Sequence, residues 1–99
     1  MTSSAEAAFA RFARQPGIEE SKFFGFRSLT VVGKTVVVLF DDKLVFKLEE
    51  VDREAALRLH EAALWNPYGR AKKNWVQLPP TQEQAWPKFF SKARELLDR

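Results

Sequence analysis

The alternation of apolar and polar positions between Phe24 and Leu48 predicts a β-meander of three short antiparallel strands. Apolar and β-branched residues fill the strands, while a glycine and a pair of aspartates separate them. The predicted strands cover residues 27–32, 35–40 and 43–48, with turns at Val32-Gly33-Lys34 and Asp41-Asp42.

The third strand alternates cleanly, so that its two faces can be assigned. Leu44, Phe46 and Leu48 are expected in the core, and Lys43 and Lys47 are expected in solvent. A shift of the strand pairing by one residue would exchange the two faces. The pattern therefore predicts a sheet with one face in the core and the other at least partly exposed to water.

The second strand, TVVVLF, is apolar on both faces, which favours a central strand or one that meets a partner. One face would carry Val37 and Leu39 beside Val45 of the next strand, an apolar patch that a monomer rarely exposes. Either the first helix or a second copy of the chain must then cover the patch. A two-fold homodimer is one of these two predicted outcomes.

An amphipathic pattern near the N-terminus predicts the first helix over residues 4–14. Ser4 is expected to cap it, and Pro16-Gly17 ends it. Phe9 and Phe12 lie three residues apart, so that both rings are expected to face the core.

Two further helices are predicted in the second half of the chain. One begins at Asp52, ends at Asn66-Pro67 and holds His60 inside its apolar arc, at the margin of the core. The other follows a capping box over residues 81–84 and runs from about Pro87 to about Asp98. Between the two helices, residues 75–78 are expected to form a fourth strand at the edge of the sheet.

The order of these elements predicts an α+β domain, an antiparallel β-meander with an N-terminal, a middle and a C-terminal helix. A sequence of 99 residues is expected to form a single domain over residues 1–99. It contains no cysteine, which excludes disulfides and thiolate chemistry. No apolar run approaches the roughly 20 residues that cross a bilayer, and the N-terminus lacks the pattern of a signal peptide. We therefore expect a cytoplasmic protein without a membrane partner.

No arrangement of residues in the chain is typical of catalysis. His60 is the only histidine, so a histidine triad or a multi-histidine metal site lacks partners. The carboxylates fall in predicted turns and helix starts, and Gly33-Lys34 lacks the rest of a phosphate-binding loop. We predict no catalytic residue, cofactor or metal ligand, and hence a non-catalytic binding or regulatory domain. An unrecognised small-ligand or enzyme site stays open as an alternative.

One segment of eleven positions, centred on a predicted loop over residues 68–74, combines aromatic with basic side chains and is the best candidate for a functional surface. Its members are Trp65, Tyr68, Arg70, Lys72, Lys73 and Trp75. Three interpretations are open. The tryptophans can anchor the core beneath solvated cations, the set can contact a protein partner, or it can bind nucleic acid weakly by stacking and phosphate contacts. The net charge of +3 is too small to decide among them.

Several strings in the chain resemble those of one bacterial family. FFGFRSLTVVGKTVVVLFDDKLVFKL is similar to its sheet, and ALRLHEAALWNPYGRAKKNWVQLP is similar to its middle helix and return strand. Over about residues 21–97 the chain therefore resembles the TfoX N-terminal-like domain family, which is close to the MmcQ/YjbR-like proteins. The resemblance implies an α+β domain of a family associated with the regulation of natural competence, with relatives described as having a DNA-binding-like fold. Glu61 stands where the family pattern commonly has a glycine, so the middle helix is expected to continue past that position.

Overall fold

The computed structural model describes residues 3–96, which form a six-stranded antiparallel sheet with three α-helices and one 3-10 helix. The predicted α+β class is confirmed. The elements are α1 (Ser4–Ala13), β1 (Ile18–Phe23), β2 (Phe26–Val31), β3 (Lys34–Phe40), β4 (Lys43–Lys47), α2 (Glu50–Leu57), β5 (Ala63–Trp65), β6 (Lys72–Leu78), the 3-10 helix (Pro80–Ala85) and α3 (Trp86–Glu95). Over the same residues, none of the helices has the length and apolar character that a membrane span requires.

The sheet order is β1-β2-β3-β4-β6-β5, and every neighbouring pair is antiparallel. The predicted meander is present as β2, β3 and β4, and β1 extends it on one side. β1 was not predicted because its sequence, IEESKF, has four exposed polar residues and lacks an apolar alternation. The predicted edge strand at residues 75–78 is part of β6, which lies inside the sheet because β5 pairs along its other side.

One face of the sheet, the helical face, packs against α1 and α3. Leu44, Phe46 and Leu48 are fully buried there, as the alternation predicts. Lys43 and Lys47 are partly buried rather than exposed. The reason is that aromatic rings cover much of their side of the sheet, which we call the aromatic face. Its buried residues are Val38, Val45 and Trp65, and around them lie Phe23, Phe26, Phe40 and Trp75.

The apolar patch predicted from Val37, Leu39 and Val45 does not form. The two-residue turn pairs Phe40 with Lys43, so Val37 pairs with Phe46 on the helical face. Val45 instead pairs with Val38 on the aromatic face, where both are fully buried. The structure therefore removes the reason given for a homodimer, and the dimer stays a prediction without an uncovered patch to support it.

α1 covers the helical face in the way its pattern predicts. Phe9 and Phe12 are buried, and the Phe12 ring stacks on Phe90 of α3 at 4.3 Å between centroids. The cap is Ser3 rather than Ser4, since the Ser3 hydroxyl accepts a hydrogen bond from the Glu6 backbone N–H at 3.1 Å. The N-cap residue therefore lies one position earlier in the chain than predicted.

α2 is much shorter than predicted, because it ends at Leu57 instead of continuing to Asn66. Arg58 is its C-cap, and Glu61 lies beyond the helix in a left-handed conformation, with φ of 65°, so the predicted continuation past Glu61 is wrong. The residues after it form β5 and place Trp65 in the aromatic face. His60 consequently lies outside any helical arc, and its side chain is 83% exposed instead of sitting at the core margin.

The last helix begins where its proline predicts. α3 starts at Trp86, with Pro87 in its first turn, and buries Phe89 and Phe90. The predicted capping box over residues 81–84 is wrong: these residues belong to the 3-10 helix, whose N-cap is Pro79 and has no side-chain hydrogen bond. The predicted end of the helix near Asp98, together with Leu97, lies outside the described residues.

Replacing Phe46 should reveal how much the helical face contributes to stability. Phe46→Ala removes a fully buried ring and is expected to lower the free energy of unfolding by about 3–5 kcal/mol in a urea titration. Val51→Ala, at an exposed position of α2, is the control and should change it by less than ~0.5 kcal/mol. A loss below ~1 kcal/mol at Phe46 would contradict the burial described here.

The turn between β2 and β3 should be stabilised by a single substitution. Val32 and Gly33 have φ of 50° and 78°, and a β-branched residue in this left-handed region costs roughly 1–2 kcal/mol. Val32→Asn is expected to raise the free energy of unfolding by about 1 kcal/mol, because Asn-Gly suits such a turn. Gly33→Ala should lower it. A loss of stability in Val32→Asn, or a gain of stability in Gly33→Ala, would rule out this turn geometry.

Candidate functional site

The structure separates the six predicted site residues into a buried and an exposed group. Trp65 is fully buried at the end of β5, and Trp75 is partly buried in β6. Tyr68 and Arg70 are exposed in the connection over residues 66–71. At the start of β6, Lys72 is partly buried and Lys73 is exposed. The predicted loop at 68–74 is shorter than expected, since β6 already begins at Lys72.

Trp65 is a structural anchor of the aromatic face. Its ring lies 5.8–6.1 Å from the rings of four neighbours: Phe23, Phe26, Phe40 and Trp75. Among the described residues, its indole N–H and the buried Ser28 hydroxyl have no hydrogen-bond partner. Leaving such groups unpaired opposes folding, so ring packing must outweigh that cost.

The contact between Phe23 and Trp65 shows that the sheet is strongly curled. β1 and β5 are the two edge strands, which would lie about 24 Å apart in a flat sheet of six strands. The Phe23 and Trp65 rings nevertheless approach to 6.1 Å. The aromatic face is therefore the inner face of the curl, and the β1–β2 turn comes to lie beside the β5–β6 connection.

These two segments meet in what we call the tip surface, where Phe24, Tyr68 and Lys72 are in contact; we include Arg70, which is exposed between Tyr68 and Lys72 in the chain. The Tyr68 hydroxyl donates a hydrogen bond to the Phe24 carbonyl oxygen and so joins the two segments. The Phe24 and Tyr68 rings meet edge to face at 6.3 Å, and the Lys72 ammonium lies 4.6 Å from the centre of the Phe24 ring. Phe24 is 47% exposed and Tyr68 is 65% exposed, which makes this the most accessible aromatic pair in the structure.

The charge of the tip surface is of one sign. No Asp or Glu occurs between residues 21 and 40 or between residues 62 and 82, the two stretches that supply it. Within residues 3–96, neither Arg70 nor Lys72 takes part in a salt bridge. The nearby Arg27 is different, because it donates to Glu20 at 2.9 Å, and this hydrogen bond holds the pKa of Glu20 below its ordinary value. Both partners are exposed, so the pair contributes little to stability.

Lys73 does not join the tip surface, although it follows Lys72 directly. Lys73 instead lines an open polar pocket of about 240 Å³ at the start of α2. The pairing of β6 with β5 is irregular between Lys72 and Val76, so simple alternation of side chains does not hold there. The other lining residues are Glu49, Glu50, Arg53 and Asn74. Asn74 accepts a hydrogen bond from Arg53 at 2.9 Å and donates one to Glu49 at 3.5 Å, so these polar groups largely satisfy one another. Among the described residues, no cluster of three His, Asp or Glu side chains could hold a metal ion.

The cross-link between the two halves of the tip surface can be tested by removing one hydroxyl. Tyr68→Phe abolishes the bond to the Phe24 carbonyl and should lower the free energy of unfolding by about 0.5–1.5 kcal/mol in a urea titration. Ser21→Ala removes an exposed hydroxyl of β1 as the matched control and should have almost no effect. Equal stability of Tyr68→Phe and the wild type would show that the bond does not hold the segments together.

Comparison of the chain with protein-family models, with curated proteins and with solved structures finds no match. The similarity to TfoX N-terminal-like domains therefore remains a prediction from the sequence strings.

Proposed function

We propose that this chain is a non-catalytic binding domain that contacts nucleic acid weakly through its tip surface. One observation carries the proposal: two exposed rings are held together beside the Lys72 ammonium, with Arg70 exposed in the same connection, in a region whose sequence supplies no carboxylate. Aromatic rings and cations in one surface suit a ligand that offers both bases and phosphates. The resemblance to TfoX-type domains agrees with a regulatory role of this kind in a bacterial cytoplasm.

The cations set the strength of the proposed contact. Arg70 and Lys72 can neutralise about two phosphates, and so few contacts give micromolar or weaker affinity at physiological salt. Arg70 offers a planar fork of donors for phosphate oxygens, while the Lys72 ammonium acts as a point charge beside the Phe24 ring. The proposal is therefore one of weak binding that depends strongly on salt.

A protein partner is the second candidate, and the exposure of Tyr68 and Phe24 is the observation that favours it. Aromatic and arginine side chains are enriched in the energetic centres of protein interfaces. Binding of this kind would depend on the rings and respond weakly to salt, because screening acts mainly on exposed charges.

Salt dependence distinguishes the two candidates. In fluorescence anisotropy with a labelled oligonucleotide, Arg70→Gln with Lys72→Gln should reduce the slope of log affinity against log salt by about 1.4–1.8, for two lost phosphate contacts. The control is Lys34→Gln with Lys88→Gln, which removes the same charge from exposed positions outside the tip surface. The control should leave the slope nearly unchanged.

Two results would count against nucleic-acid binding at this site. One is the absence of any binding at low salt with tens of micromolar protein. The other is an equal change of slope in the tip variant and the control, which would show that only net charge matters.

A further inference from the structure

We infer that the tip surface takes single-stranded nucleic acid, with a base stacked on the exposed face of the Tyr68 ring. This inference rests on the proposed function and adds the form of the ligand to it. Phosphate contacts alone cannot tell a single strand from a duplex, so the inference depends on the two rings rather than on the cations.

The Tyr68 ring is placed as a platform. Its inner side packs near Phe26, with 6.1 Å between centroids and an angle of 34°, while 65% of the residue remains exposed. The hydroxyl is fixed on the Phe24 carbonyl, so the ring is held in one orientation before any ligand arrives. A platform held in this way loses little side-chain entropy when a base stacks on it.

Phe24 bounds the platform on one side. Its ring stands at 75° to the Tyr68 ring, which leaves room for a base on Tyr68 with its edge toward Phe24. Lys72, over the Phe24 ring, is then close enough to contact a phosphate beside that base, and Arg70, exposed two residues after Tyr68, is within reach along the chain of a second one. The surface thus provides one stacking position and two phosphate positions.

The turn that carries Phe24 has an unusual residue for its conformation. Phe24 and Gly25 have φ of 53° and 84°, a pair of left-handed positions in which Asn-Gly is preferred. Val32-Gly33 has the same geometry at the other end of β2, so the conformation alone does not mark a site. Phe24 differs from Val32 in its contacts, since its ring meets the Tyr68 ring and the Lys72 ammonium, whereas Val32 is 88% exposed.

A duplex does not suit this surface. Paired bases are stacked on one another inside the helix and offer no free face to Tyr68, whereas the bases of a single strand can be splayed out onto aromatic side chains. The two exposed rings would gain no stacking contact with a base from a duplex, whereas they would gain one from a single strand. The geometry therefore predicts a preference for unpaired nucleotides.

Three labelled probes test the inference in fluorescence anisotropy at low salt. They are a short oligothymidylate, an abasic deoxyribose-phosphate oligomer of the same length, and a hairpin duplex with the same number of phosphates. We expect the oligothymidylate to bind roughly tenfold more tightly than either of the others, as one stacked base provides. Equal affinity for the oligothymidylate and the abasic oligomer would overturn the inference.

Two variants assign the preference to the rings. Tyr68→Leu should bring the affinity for oligothymidylate down to that for the abasic oligomer, and Phe24→Asn should reduce the difference between them, in both cases without changing the salt slope. Phe24→Asn keeps the fold because Asn-Gly suits the turn, and circular dichroism with a thermal melt checks this. Val32→Asn makes the matched change in the equivalent turn and should leave the preference intact. Unchanged preference in both ring variants would also overturn the inference.

The result separates this inference from the proposed function. If all three probes bind equally and binding still needs Arg70 and Lys72, the tip surface binds phosphates and stacking is wrong. If none of the probes binds at tens of micromolar protein, the proposed function fails and the inference fails with it.

Discussion

The burial of Trp65 between the two edges of the sheet is the constraint on which the rest of the structure depends. Its indole lies against Phe23 of the opposite edge strand, which is possible only because the sheet curls. The curl leaves the outer face to the helices and fills the inner face with rings. It also brings the Phe24-Gly25 turn to the β5–β6 connection, so the tip surface exists only because both edges converge on this one side chain.

The sequence pattern correctly predicted those strands in which the apolar residues themselves indicate the buried face. β2, β3 and β4 were placed to within about one residue, and the core positions of β4 were all correct. β1 and β5 were missed for opposite reasons. β1 is polar on both faces and is held by its pairing with β2, whereas the apolar spacing around β5 fits a helix equally well. In both cases pairing with the next strand along the chain decides the structure, and the periodicity of a segment carries no information about its pairing.

The candidate site was predicted only in part. Tyr68 and Lys72 meet through Phe24, and Arg70 is exposed between them in the chain, but Lys73 lines the polar pocket at the start of α2. The irregular pairing of β6 with β5 that separates Lys72 from Lys73 has no signal in the sequence. Phe24 was overlooked, although it is central to the tip surface. A bulky residue directly before a glycine, between two strands, was the available signal. This signal indicates a site only once the fold shows that the β5–β6 connection lies beside the Phe24-Gly25 turn.

The two edges of the sheet also bear on how the protein behaves at high concentration. An unpaired edge exposes backbone N–H and C=O groups that can recruit a strand from another molecule. β1 presents Glu19, Glu20 and Lys22 along its length, so an approaching strand would meet charges that lose their hydration. β5 is only three residues long and offers too short a template for stable pairing. The polar residues that kept β1 from being predicted thus protect the folded chain against aggregation through that edge of the sheet.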